Sequence, residues 1–241
     1  MIGTFLNVAA IVAGGVRGLT SSRELSPANQ ARLKIGMGAF TVWIGLSMTW
    51  SSINGSFWQI ARQLAIVILA LMLGNVTGKL LRLQQSLNRL GHYAKERVTG
   101  GVPELSQRLS EGFVTCSILF CVGPMSFLGA VSDGLTGNFK TLAVKSLMDG
   151  LATLAFVKTF GWGVMLSIIP VFAYQGTITL AARTLEPFLR HYDLLDSVNA
   201  TGGLLIFCIA LIILELKKVE LADYLPSLAM APLLTWLWRL M

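Results

Sequence analysis

Two carboxylates and an ammonium group fall where a chain this apolar has least room for charge. Asp133, Lys145 and Asp149 lie within residues 112–158, and a charge-free run from Gly112 to Ser132, interrupted by Gly123-Pro124, leads into them. Proline removes a backbone N–H and, with glycine, frees carbonyls that lipid cannot satisfy. Such a break persists at membrane depth where protein or a water-filled cavity covers it, and an ionisable group beside it marks a polar path. Lys145 and Asp149 are four residues apart, on one face of a helix. They can neutralise each other as a buried structural pair that fixes helix packing. Alternatively Asp149, with Asp133, accepts a proton or cation, while Lys145, Asn7 and the backbone at Gly123 and Pro124 contact a substrate. Asn138, and Gln175 in a segment that also holds Gly163, Pro170 and Gly176, complete the candidate pathway.

Other chemistries lack their residues. His92 and His191 stand apart from each other, no Cys-x-x-Cys or His-x-x-x-His spacing occurs, and Cys116, Cys121 and Cys208 read as small packing residues. No metal or cofactor is expected. Ser126 and Ser132 have no histidine base, and Gly14-Gly15-Val16-Arg17-Gly18 fits no phosphate-binding loop, so the chain does not read as an enzyme. Ala9, Ala10, Ala13, Gly14 and Gly18 instead point to close helix packing.

The elements that must position these groups are membrane helices. The chain is 54% hydrophobic and 13% charged, with a mean hydropathy of +0.68, whereas a soluble domain is ~25% charged. The fold class is therefore all-α and membranous, one domain over residues 1–241. Apolar runs near the ~20 residues of a spanning helix predict about eight segments, near 2–20, 34–52, 58–79, 112–130, 139–158, 161–182, 198–215 and 221–240. The first lacks the basic leader and cleavage site of a secretory signal and is read as a helix. The fifth carries Lys145, Asp149 and Lys158, so it belongs inside the bundle or in a re-entrant hairpin with the fourth, giving a broken-helix core over 112–158.

Placing Met1 outside puts thirteen of the 19 Lys and Arg on the inner face, among them Arg17, Arg32, Lys34, Lys79, Lys217 and Lys218, against six outside. The uncharged loop from Ser51 to Ser56, flanked by Trp50, Phe57 and Trp58, then lies outside. The net charge of +7 is thus mainly a topology signal, and no cation-rich surface with stacking aromatics offers itself to nucleic acid. Leu80, Leu83, Leu87 and Leu90 make residues 80–98 an amphipathic interfacial helix, either a plain connector or a partner- or anionic-lipid-binding face. A loose match between the runs at Gly38 and Gly203 relates residues 1–80 to 160–241 as inverted three-helix repeats around the broken pair.

The run Phe113-Val-Thr-Cys-Ser-Ile-Leu-Phe-Cys-Val-Gly-Pro-Met125 is followed by Asp133-Gly-Leu-Thr-Gly137 and Lys145-Ser-Leu-Met-Asp-Gly150. With Gly3-Thr-Phe-Leu-Asn7 and Asn199-Ala-Thr-Gly-Gly203, these motifs resemble the domain of unknown function 554 family, the YqgA-like proteins, over nearly the whole chain. The resemblance implies a multi-pass protein of the bacterial inner membrane with no assigned activity. Two function classes compete: a secondary transporter of a small solute or ion, and a non-transporting membrane scaffold or partner-binding protein. Both have the lipid bilayer as partner, and both leave room for a homo-oligomer.

Overall fold

The computed structural model describes residues 1–20, 26–86, 88–89, 105–121 and 124–240, and among them the regular elements are helices, with no strand. The longer ones are α1 (Ile2–Thr20), α2 (Pro27–Ser51), α3 (Phe57–Leu80), α4 (Leu105–Cys121), α5 (Pro124–Thr136), α6 (Lys140–Phe160), α7 (Ile168–His191), α8 (Leu195–Ile213) and α9 (Ser227–Leu240). Two tight helical turns, Gly161–Ser167 and Leu221–Tyr224, precede α7 and α9. Of the expected interfacial helix at 80–98, Leu80 ends α3, residues 81–82 form a turn, residues 83–86 and 88–89 are helical, and residues 87 and 90–98 lie outside the described residues.

The chain divides into two compact units, Met1–Asn29 with Ser86–Ala181 and Gln30–Gln85 with Ala182–Met241. In the first, α1 and α6 run parallel and touch along their length, Gly3 against Leu142, Gly14 against Gly150 and Gly18 against Leu154 and Val157. Small residues allow this. A Cβ on Gly14 would stand 2.2 Å from the carbonyl oxygen of Gly150, and one on Gly150 would stand 2.9 Å from that of Ala10. Ala10, Gly14 and Gly18, spaced by four, therefore form the seam expected of small residues in a membrane helix. Helix α4 runs antiparallel to α6, with Gly112 against Phe160, and α7 runs antiparallel to α1, with Phe5 and Phe172 ring centroids 5.6 Å apart. Gly137 (φ 69°) and Gly161 (φ 71°) take the positive φ that glycine alone adopts readily, at the two ends of α6 where the chain must reverse.

In the second unit α2 and α8 are antiparallel, with Gly45 against Gly203 and the Thr49 hydroxyl donating to the Ala200 carbonyl at 3.2 Å. Helix α3 packs Gly74 and Gly78 against Ser227 and Asp223, so it and α9 also run antiparallel. Asp223 accepts the Gln84 N–H at 2.8 Å and the Gln84 side chain accepts that of Ala222 at 3.0 Å, which closes the end of α3 onto the turn before α9. The outward face of α3 is the reverse of a soluble helix. Leu64, Ile68, Met72 and Val76 are exposed, whereas Val67, Ala70, Gly74 and Gly78 are buried. Lipid is the solvent that stabilises such a face, since water would penalise it at ~25 cal/mol per Å².

Four stretches are long and apolar enough to cross a membrane, Ile2–Thr20, Phe57–Leu80, Lys140–His191 and Leu195–Ile213, and a bent pair, Gly112–Cys121 with Met125–Thr136, makes a fifth. The eight-segment expectation exceeds this count for physical reasons. Helix α2 begins at Pro27 rather than at 34 and carries Arg32 and Lys34 in its first turns. Residues 221–224 form a tight turn, so α9 keeps only 14 residues. The stretch Lys140–His191 counts once although its 52 residues are more than twice the ~20 that a spanning helix needs. Gly161 and the turn after it divide that run into α6 and α7.

Candidate functional site

Asp149 projects from α6 into the seam with α1. Lys145, one turn earlier, donates to its Oδ2 at 2.5 Å, and Asn7 Nδ2 donates to the same oxygen at 3.0 Å. The three residues are buried, with 6%, 6% and 0% of their surfaces exposed. Sequence spacing places Lys145 and Asp149 on one face, but only the parallel packing of α1 on α6 delivers Asn7, 142 residues away, to the same carboxylate. Both contacts fall on Oδ2. Asn7 Oδ1 is buried without a partner. The cluster is thus a polar spot, an ion pair with an amide beside it, inside an otherwise apolar seam.

The described helices on either side of residues 122–123 reach this cluster. The Phe120 ring of α4 is 5.9 Å from Lys145 Nζ, while Gly129 of α5 packs on Leu142. The two helices are inclined by 58°. Gly123 lies outside the described residues, and Pro124 opens α5.

The other expected pathway residues have separate places. Asp133, in the last turn of α5, accepts the Gly3 N–H at 3.0 Å and the Met1 amino group at 3.1 Å, so its carboxylate holds the start of α1. Replacing Asp133 by Ala should lower stability by about 1–2 kcal/mol, the cost of losing a helix cap. Asp133→Asn, which retains an acceptor, should lose less, and thermal unfolding of the purified variants reads the difference. Asn138 sits in the turn before α6, and its Oδ1 accepts the Lys140 N–H at 3.2 Å. Gln175 is fully buried on α7. Its Nε2 donates to Ser126 Oγ at 3.0 Å, its Oε1 has no partner, and one turn on Thr179 donates to the Ala130 carbonyl at 3.2 Å. Ser126, Thr179 and Phe120 carry no mark in the sequence, because a hydroxyl or ring in an apolar segment reads as filler until a partner helix is placed.

Apolar outward faces, seams of small residues and a buried ion pair beside a broken helix define an α-helical membrane protein. The chain belongs to the family described as Protein of unknown function (DUF554), whose model matches residues 2–236. It is 29% identical over 233 residues to the uncharacterized membrane protein YdfK of Bacillus subtilis (strain 168), covering 96% of this chain and 94% of that one. It is 26% identical over 239 residues to the uncharacterized protein YqgA of Escherichia coli (strain K12), covering 99% and 97%. No solved structure gives a significant match.

Proposed function

We propose that the protein is a multi-pass transporter of the inner membrane that moves a small solute or ion, and that Asn7, Lys145 and Asp149 are its coupling site. The observation that supports this reading is the buried cluster itself, a carboxylate, an ammonium and an amide with an unpartnered oxygen, packed against Phe120 near the end of α4. Discontinuous helices around charges at mid-membrane are how secondary transporters build their sites. A bilayer-spanning scaffold has no need to bury an ammonium, a carboxylate and an amide together.

The packing within each unit supports eight crossings. In the first, α1 and α6 run one way and α4–α5 and α7 the other; in the second, α3 and α8 run one way and α2 and α9 the other. This is the alternation that eight successive crossings require. The α1–α3 and α7–α9 triplets then have opposite senses, as inverted repeats would. With Met1 outside, a cysteine placed at Asn54 should react with a membrane-impermeant maleimide on intact cells and one at Lys217 should not. The reverse pattern would invert the orientation.

The transport reading is tested by reconstitution. Proteoliposomes given a bacterial small-metabolite extract under an imposed pH or Na⁺ gradient should accumulate at least one small solute, read by mass spectrometry, beyond protein-free liposomes. Equal contents in both would leave the protein a scaffold.

A further inference from the structure

We propose that the second unit carries a binding site for a small zwitterion of the α-amino-acid type at the end formed by the start of α3, the start of α8 and the end of α9. A cavity of about 180 Å³ opens there, lined by Arg62, Asp193, Asp196 and Arg239 with an apolar wall that includes Ile66 and Trp238. At ~30 Å³ per water this is room for about six waters, the size of a mid-sized amino acid.

The charge arrangement selects the ligand. Arg239 Nη1 lies 3.5 Å from Asp193 Oδ2 in an exposed ion pair, and Arg239 also donates to the Tyr192 carbonyl at 2.6 Å. Arg62 and Asp196 are the lining charges without a close ion pair among the described residues. Arg62, in the second turn of α3, is exposed and lines this cavity. Its guanidinium makes no hydrogen bond or ion pair among the described residues; the exposed Asp196 carboxylate, which lines the same space, makes neither, with the charge of Arg190 attracting it from the end of α7. They stand too far apart to pair directly. A molecule with a carboxylate and an ammonium bridges them: the planar guanidinium fork matches a carboxylate in two parallel hydrogen bonds, and Asp196 accepts from the ammonium. A simple anion would meet the two aspartates, and a simple cation the two arginines. A quaternary ammonium favours an aromatic cage, and Trp238 is the sole aromatic lining residue. Ile66 and Trp238 provide the wall against which an apolar side chain would rest.

The inference does not depend on the transport reading, because its readout is binding rather than flux. The full-length protein in detergent is screened by thermal shift with each of the twenty standard amino acids at millimolar concentration. At least one neutral amino acid should raise Tm, and its deaminated and its decarboxylated analogue should each bind about tenfold or more weakly. Arg62→Gln and Asp196→Asn should each weaken binding by a similar factor while the size-exclusion profile stays unchanged and ligand-free Tm moves little, since both side chains are exposed and neither makes a hydrogen bond or close ion pair among the described residues. Arg62→Lys, which keeps the charge without the fork, should fall between. The Lys145→Gln, Asp149→Asn double variant should bind as the parent does. No shift with any of the twenty, equal binding of the singly charged analogues, or parental affinity in both Arg62→Gln and Asp196→Asn overturns the proposal.

Discussion

Asp149→Asn and Lys145→Gln, made singly, should each destabilise the protein by about 3–5 kcal/mol, and made together should restore most of that loss, because the cost lies in a buried charge left without its partner. The pair is poorly placed to recover its solvation. Each residue is 6% exposed, and the one further polar group on the carboxylate is the amide of Asn7. In Asp149→Asn the ammonium is left between the Phe120 ring and a neutral amide; in Lys145→Gln the carboxylate keeps only Asn7. Thermal unfolding in detergent should rank parent and double variant close together and both single variants well below. If the single variants melt with the parent, the groups are hydrated and the cluster is not the dry seam described above.

Gly14→Leu should be at least as damaging. Even its Cβ would lie 2.2 Å from the Gly150 carbonyl oxygen, and the obstacle is backbone rather than the end of a flexible side chain. Overpacking of this kind costs about 3 kcal/mol or more, and here it would part α1 from α6 and so Asn7 from Asp149. Gly36→Leu in α2 is the control. A Cβ there meets nothing within 4 Å, so that variant should fold at parental yield and melt near the parent. Size-exclusion profile and Tm decide, and equal behaviour of the two leucine variants would show that the α1–α6 seam is looser than its geometry.

Much of this was legible in the sequence because membrane constraints are local. Hydropathy reveals α1, α3 and α8 since each must hide its own backbone from lipid, and the spacing of Ala10, Gly14 and Gly18 reveals a seam since only small residues let helices touch. The Lys145–Asp149 pair could be read for the same reason, being one helical turn. What could not be read is long-range. That Asn7 donates to Asp149, that Asp133 holds the start of α1 and that Gln175 meets Ser126 depend on which helices become neighbours. Arg62 shows a different failure. By sequence it is a charge at the outer end of a span and serves only to count loop cations, whereas the fold places it on a cavity with Asp196. Helix ends were misjudged where a charge or proline intervenes. Arg32 and Lys34 sit inside α2 rather than before it, and α7 continues through Pro187 to His191.

The central claim is that Asp149 couples transport rather than merely balancing Lys145. The most direct measurement is gradient-driven uptake in proteoliposomes by the Lys145→Gln, Asp149→Asn double variant, whose folding the paired substitution should preserve. The account predicts a protein that melts near the parent and moves nothing above the protein-free background. Parental uptake from a stable double variant would contradict it, leaving Asn7, Lys145 and Asp149 a structural cluster.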